Sequence, residues 1–248
     1  MRDTFRKTGP ESALEMFEAE VDGLNEIRAA GEVRVPDVID CGVMNGESYI
    51  DLERLNLERP TRGVESLFGE QLARMHRHTQ SEFGWFRDNT IGLTPQRNRL
   101  SGDWTTFFRE QRLGFQVELA NANGYGAEIR EPAAQLAARL TEFFADYEPA
   151  ASLLHGDLWS GNWGCADGVP VIFDPAVYYG DRESDIAMTM LFGGFGQAFY
   201  QGYKATWPMA PGYEQRLKLY QLYHVLNHLN LFGRSYLAQA MGLLRELA

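Results

Sequence analysis

The chain has 248 residues, of which 44% are hydrophobic and 23% charged, a composition typical of a globular protein with a full core. Acidic side chains outnumber basic ones by 34 to 23, and the net charge of −11 argues against nucleic acid or an anionic membrane as a partner. Cys41 and Cys165 are too few for a disulfide framework and are expected to be small buried residues. With no apolar run of about 18 residues and no apolar N-terminal segment, the sequence predicts a cytoplasmic protein.

The first part of the chain predicts a small unit of one helix and a few strands. Apolar residues recur at three- and four-residue spacings over residues 11–29, which predicts an amphipathic helix. Asn45-Gly46 is a typical two-residue hairpin turn between β-prone segments. The strands of this unit are expected at residues 4–7, 38–42 and 48–52.

Helical spacing dominates the rest of the chain. It predicts helices over residues 64–78, 104–122 and 127–145, and several more after Asp181. Residues 153–179 have few helical features, and Asp167-Gly168 predicts a second hairpin there. We therefore expect two domains, residues 1–55 and residues 56–248, with a ligand cleft between them.

The most specific signal is Leu-His-Gly-Asp-Leu-Trp-Ser-Gly-Asn at residues 154–162, followed by Ile-Phe-Asp-Pro at 172–175. Phosphoryl transfer from ATP needs a carboxylate that accepts the proton of the attacking hydroxyl, and oxygen ligands for Mg²⁺. Kinase catalytic loops supply these groups as an Asp, then an Asn, then a second Asp. Each residue alone is a common turn residue, but all three in order predict a kinase-type site. Asp157 is the expected base, and Asn162 and Asp174 are the expected Mg²⁺ ligands.

These motifs resemble the fructosamine kinase (ketosamine 3-kinase) family, which is related to aminoglycoside and choline kinases. The resemblance covers nearly the whole chain and is carried by residues 91–96, 103–108, 155–162, 173–176, 179–180, 192–195 and 220–228. It implies an α+β protein with a bilobal protein-kinase-like fold. The N-lobe, residues 1–55, would be small and truncated, with a nucleotide-binding role, and the C-lobe would be mostly helical and carry the catalytic loop and substrate site.

The resemblance also implies an activity, which is ATP-dependent phosphorylation of the 3-hydroxyl of a ketosamine. The substrate would be a fructosamine or ribulosamine on a small amine or a protein lysine, and loss of the 3-phosphate would then free the amine. ATP and Mg²⁺ are the implied cofactors. Trp159 would form an apolar wall for the sugar adduct, and His228 would approach it from the C-terminal helices. The simpler alternatives are core packing for Trp159 and an ordinary helix histidine for His228.

The residues expected to bind the nucleotide are predicted from weaker sequence signals. By resemblance, Lys7 would hold the α- and β-phosphates with Glu20 as its partner, although a surface ion pair is the usual outcome for such residues. The backbone of Glu53 and Leu55 would meet the adenine, where the alternative is an ordinary strand-to-helix turn. Asp185 would brace the catalytic loop rather than react.

This chain departs from the family pattern before Lys7, because family members have two strands and a Gly-rich loop there. We therefore expect either a longer natural protein or a weakened relative, and the three retained residues Asp157, Asn162 and Asp174 favour the first. Two alternative functions stay open, a kinase of the aminoglycoside or choline type and a nucleotide-binding protein without turnover. Trp159 and the Phe107-Phe108 pair favour the ketosamine, because they suggest an aromatic surface rather than an acidic one.

Overall fold

The computed structural model describes residues 4–248, so residues 1–3 of the predicted N-lobe lie outside the described part. A three-stranded antiparallel sheet of order β1-β3-β2 and one long helix form the N-terminal part. Its elements are β1 (Thr4–Pro10), a 3₁₀ turn (Glu11–Ala13), α1 (Leu14–Ala30), β2 (Val38–Met44) and β3 (Glu47–Glu53). At the β2–β3 turn, Asn45 and Gly46 have φ values of 56° and 81°, as the predicted hairpin requires.

The helix of this part buries one apolar face. Phe17, Leu24 and Ile27 of α1 are at most 3% exposed and share one core with Ile50 and Leu52 of β3. The three- and four-residue spacing of these side chains places them on the same side of the helix. The predicted helix and the three predicted strands are therefore confirmed.

The remainder of the chain is mostly helical, with short strands between the helices. Its helices are α2 (Arg62–Met75), α3 (Trp104–Phe107), α4 (Phe115–Ala120), α5 (Gly126–Arg139), α6 (Glu183–Leu191), α7 (Gln197–Thr206), α8 (Tyr213–Phe232) and α9 (Leu237–Leu247). Its strands are β4 (Leu57–Glu58), β5 (Thr79–Gln80), β6 (Asn89–Ile91), β7 (Thr94–Gln96), β8 (Ala151–Leu154), β9 (Trp163–Ala166), β10 (Val169–Ile172) and β11 (Tyr178–Gly180). Short 3₁₀ segments cover Leu140–Phe144 and Arg234–Tyr236, and π-helical turns at Phe108–Gly114 and Asn121–Tyr125 join α3, α4 and α5.

These elements confirm the helices expected at residues 64–78, 104–122 and 127–145. The second hairpin is also confirmed, because β9 and β10 pair antiparallel around Asp167 and Gly168. No helix within residues 4–248 has both the length and the apolar character needed to span a bilayer.

Two expectations about side-chain exposure are wrong. Phe107 and Phe108 are each 1% exposed and pack on Trp104, so they belong to the core and not to a substrate surface. Both are buried because each packs against another aromatic ring, Phe107 against Tyr178 and Phe108 against Tyr220. Cys165 is buried as expected, but Cys41 in β2 is only partly buried.

Candidate active site

The loop that follows β8 brings three predicted site residues together. Asn162 Nδ2 donates to Asp157 O at 2.9 Å, lies 3.4 Å from Asp157 Oδ2, and lies 3.5 Å from Asp174 O. The β9–β10 hairpin returns the chain from Asn162 to Asp174, and Phe173 N donates to Asn162 O at 3.1 Å to close it. Asp157, Asn162 and Asp174 consequently line one cavity of about 310 Å³.

Hydrogen bonds to buried groups hold the backbone of this loop in place. The backbone N–H groups of His155 and Gly156 donate to the two carboxylate oxygens of Asp185, at 2.8 and 2.9 Å. Asp185 lies on α6 and is 1% exposed, so these bonds are shielded from water. Ala176 N donates to His155 O at 2.8 Å, which ties the loop to the segment between β10 and β11 that follows Asp174.

The environment of Asp157 suits a general base. Burial raises the pKa of its carboxyl to about 7, and the charges of Asp185 and Asp174 add to this effect, while the Asn162 hydrogen bond opposes it. A base is most effective when its pKa lies near the working pH. Asp157 still faces the cavity, since it is only partly buried.

A lysine from the N-terminal sheet joins this group of side chains. Lys7 Nζ, on β1, lies 2.7 Å from Glu20 Oε1 of α1 and 2.5 Å from Asp174 Oδ1. Burial disfavours the Lys7 charge, but the two carboxylates outweigh that cost and raise the pKa of its ammonium. The charged form of Lys7 is therefore favoured at the edge of the cavity, next to Asp174, the second acidic residue of the motif.

The backbone at Asp174 is held in an unusual conformation. Its φ of 56° lies in the left-handed region, which side-chain-bearing residues seldom adopt and which Asp tolerates better than most. Strained backbone of this kind concentrates at functional sites. Here the Asp174 carboxylate meets the Lys7 ammonium.

A neighbouring cavity of about 260 Å³ lies beside the end of β3. Glu53 and Leu55 line it with Phe5 and Phe173, and Asp174 lines both cavities. The Glu53 side chain is paired elsewhere, because its Oε1 accepts from Arg34 Nη2 at 2.7 Å. Glu53 N also donates to Asp37 O at 2.8 Å, so both the amide and the side chain of this residue have partners within the protein.

The two predicted substrate residues have different locations. Trp159 lines the 310 Å³ cavity, is 40% exposed, and covers Gly161 so closely that a Cβ there would lie 2.3 Å from its ring. His228 is not among the described residues that line this cavity. Its Nδ1 donates to His224 O at 2.8 Å, and its ring packs 4.7 Å from that of Phe192.

The structure also places residues at the cavity that received no role from sequence. The β6–β7 hairpin contributes Asn89, Thr90, Gly92 and Leu93, and the Leu93 side chain is 77% exposed. The exposure of Leu93 could not be predicted from the sequence, because it depends on how the hairpin packs against the rest of the protein. These residues line the same cavity as Trp159.

Comparison with solved structures defines the class of protein. An ADP-bound aminoglycoside phosphotransferase superimposes with a TM-score of 0.62 at 12% identity, over 98% of this chain and 86% of that one. A putative fructosamine-3-kinase from Haemophilus somnus superimposes with a TM-score of 0.92 at 31% identity, over 98% of this chain and 83% of that one. The chain is thus an α+β protein with a kinase-like fold, as the sequence predicted.

Sequence comparison then identifies the family. The fructosamine kinase family matches residues 1–248. A probable ketoamine kinase of Synechocystis is 45% identical over 244 residues, which are 98% of this chain and 82% of that protein. A chloroplastic protein-ribulosamine 3-kinase of Oryza sativa is 40% identical over 246 residues, 98% of this chain and 71% of that protein. The chain belongs to the fructosamine kinase family and is a phosphotransferase.

Proposed function

We propose that this protein transfers the γ-phosphoryl group of ATP to the 3-hydroxyl of a ketosamine, a fructosamine or ribulosamine adduct. The observation that carries the proposal is the convergence of Lys7, Asp157, Asn162 and Asp174 on one cavity. The names of its relatives, ketoamine kinase and protein-ribulosamine 3-kinase, support the substrate class.

The nucleotide would enter between the N-terminal sheet and the β9–β10 hairpin. Lys7 would hold the α- and β-phosphates, with Glu20 fixing its position at 2.7 Å. The Glu53 carbonyl and the Leu55 N–H would meet the adenine in the adjoining 260 Å³ cavity. Residues 1–55 would in this way form the nucleotide-binding lobe, and residues 56–248 the lobe that carries the catalytic loop.

The oxygen donors at the cavity fit a magnesium ion. Asn162 Nδ2 donates to Asp157 O, so Asn162 Oδ1 would be the atom that binds a cation. Asp174 Oδ1 already binds a positive group, the Lys7 ammonium. Mg²⁺ is typically held by one or two protein oxygens together with phosphates and water. When bound, Mg²⁺–ATP supplies the phosphoryl group, and the metal offsets the charge that builds on it.

The remaining chemistry belongs to residues of this chain. Asp157 would orient the 3-hydroxyl and accept its proton, and its raised pKa suits that role. The Asn162 hydrogen bond keeps the Asp157 carboxylate at the cavity. Trp159 would pack against the sugar adduct. A contact between His228 and the sugar adduct stays a prediction, and an unchanged ketosamine KM in His228→Ala would contradict it.

A coupled ADP-release assay tests the proposed function. Ribulose-lysine and fructose-lysine serve as ketosamines, with kanamycin and choline as substrates of the alternative kinases, and ³¹P NMR of the product identifies the phosphorylated hydroxyl. ADP release with only kanamycin or choline would refute the proposal. The absence of ADP release with all four substrates would refute it as well.

The same assay tests the base. Asp157→Asn should lower kcat at least about 100-fold, because it removes general base catalysis. Asp146→Asn is the matched control, since Asp146 is an exposed carboxylate outside this cavity. Unaltered ketosamine turnover in Asp157→Asn would show that another group accepts the proton.

A further inference from the structure

One residue at the cavity has an exposure that its neighbours in the sequence do not share. Leu93 lies at the tip of the β6–β7 hairpin and is 77% exposed, whereas Ile91 and Thr94, which pair at the end of the hairpin, are at most 2% exposed. A single exposed leucine is ordinary in a folded protein. Leu93 differs from such residues because it lines the 310 Å³ cavity together with Asp157, the proposed base.

The base of this hairpin is fixed in the core. Asn89 Nδ2 donates to Val177 O at 2.8 Å. Gln96 Nε2 donates to Ala176 O at 3.0 Å and to Asn89 Oδ1 at 2.9 Å. Asn89 and Gln96 are at most 9% exposed, so water competes little for these bonds. Ala176 and Val177 belong to the segment that follows Asp174, and the hairpin therefore keeps a fixed position relative to the catalytic groups.

The tip of the hairpin is also restrained. Gly92 has a φ of 57°, as is typical of a glycine at the first position of a two-residue hairpin turn. A Cβ on Gly92 would lie 3.3 Å from Leu231 Cδ1, so the tip lies against α8. The backbone that presents Leu93 to the cavity is thus already ordered, and a ligand that contacts this side chain does not have to order the hairpin first.

The surroundings of Leu93 favour an apolar group of the ligand. Trp159 lines the same cavity and is 40% exposed, so two large apolar side chains border the cavity that contains Asp157. Leu93 is not among the described residues that line the 260 Å³ cavity proposed for adenine. The hydroxyl groups of a sugar gain nothing from a leucine side chain, whereas an aliphatic chain that covers it removes apolar surface of both partners from water.

A ketosamine can carry such a chain next to its reacting hydroxyl. Its nitrogen is bonded to C1, at the same end of the sugar as the C3 hydroxyl that Asp157 would meet. The substituent on this nitrogen therefore begins close to the reacting atoms and must pass along the wall of the cavity. In an adduct of a lysine side chain, this substituent is a run of methylene groups.

We propose that Leu93 is a specificity-determining residue that packs against the aliphatic substituent on the ketosamine nitrogen. It would favour adducts of longer aliphatic amines, such as the lysine side chain, over adducts of short amines. This inference rests on the proposed function, in which the substrate is a ketosamine. Because the substituent is remote from the transferred phosphoryl group, the contact should lower KM and leave kcat unchanged.

A homologous series of substrates measures this contact. Fructosamines and ribulosamines of ethylamine, propylamine and butylamine differ by one methylene at each step. Full burial of a methylene would strengthen binding about fourfold, and a contact on one side about twofold. We therefore expect kcat/KM of the wild type to rise about twofold with each added methylene. In Leu93→Ser the rise should be below about 1.5-fold, because the apolar partner is lost.

Two variants serve as controls for this series. Leu93→Met should keep the dependence on chain length, since methionine is apolar and of similar volume. Leu100→Ser should keep it as well, because Leu100 is 47% exposed but is not among the described residues that line either cavity. An equal dependence in Leu93→Ser and wild type would overturn the role of Leu93, and so would a wild type that shows no dependence. In both cases the turnover of ketosamines would leave the proposed function standing, whereas a wild type that turns over no ketosamine would refute both.

Methyl NMR gives a measurement that does not depend on turnover. The Leu93 methyl signals can be assigned by their absence from the spectrum of Leu93→Met. We expect them to shift when the ribulosamine or fructosamine of butylamine is added to wild type that already holds Mg²⁺–ADP. Signals that respond to Mg²⁺–ADP but not to the ketosamine would place Leu93 at the nucleotide and overturn the proposal, and signals that respond to neither would also overturn it.

Discussion

Gly156, the residue before the proposed base, offers a sharp test of how tightly the catalytic loop is held. Its φ is +84°, and a Cβ at this position would lie 2.0 Å from Ala176 O. That oxygen cannot move freely, because it accepts from Gln96 Nε2 at 3.0 Å. Gly156→Ala should therefore combine about 1–2 kcal/mol for the left-handed backbone with about 1–3 kcal/mol for the forced contact.

Gly168→Ala is a control that separates the free-energy cost of the steric contact from that of the left-handed backbone. Gly168 has a φ of +75°, but a Cβ there would meet no atom within 4 Å. Urea unfolding of both variants should show a loss of about 1–2 kcal/mol for Gly168→Ala and a total of about 2–5 kcal/mol for Gly156→Ala.

Ketosamine kinetics complete this test. Turnover should fall about 100-fold in Gly156→Ala, because the loop must shift Asp157, and stay near wild type in Gly168→Ala. If the two variants lose equal stability and Gly156→Ala keeps full turnover, the loop is not held as tightly as we argue.

Three further predictions concern the nucleotide side and the core. Lys7→Met should raise KM for ATP about 10- to 100-fold, since a charged hydrogen bond contributes about 1.5–3 kcal/mol, whereas the exposed Lys204→Met should not. Arg34→Met, which removes the ion pairs joining the end of β3 to the β9–β10 turn, should raise KM for ATP about fivefold in the same assay, and Arg28→Met should leave it unchanged. Burial lowers the pKa of His224 to about 3 from 6.5, so its contribution to stability is present above pH 6.5 and is lost as the pH falls. Relative to His224→Leu, wild type should lose about 2 kcal/mol of unfolding free energy between pH 7.5 and 5, measured by urea denaturation.

Features with a local cause could be predicted from the sequence. The Asn45-Gly46 and Asp167-Gly168 turns follow from residue type, and the helix over residues 14–30 follows from the spacing of its apolar side chains. The convergence of Asp157 and Asp174 was also predictable, because a hairpin between them returns the chain to its starting point.

Features that depend on distant partners could not be predicted. Phe107 and Phe108 form an aromatic pair that is compatible with a surface or a core, and only packing against Tyr178 and Tyr220 decides for the core. His76 lies within hydrogen-bond distance of Asp185 and Tyr203, which are 109 and 127 residues further along the chain, so no local pattern in the sequence predicts these contacts. Whether Asp174 meets Lys7 depends likewise on how the N-terminal sheet is placed over the hairpin.

The groups that fix the position of Asp157 are also those that set its base strength. Asp185 holds the backbone of the loop, yet its charge raises the pKa of Asp157. Asn162 donates to the Asp157 carboxylate, and the same hydrogen bond lowers that pKa. Position and base strength are therefore coupled, because any change that moves either partner away from Asp157 alters both at once. This coupling gives a physical reason why the spacing of Asp157, Asn162 and the helix that carries Asp185 is so informative in the sequence.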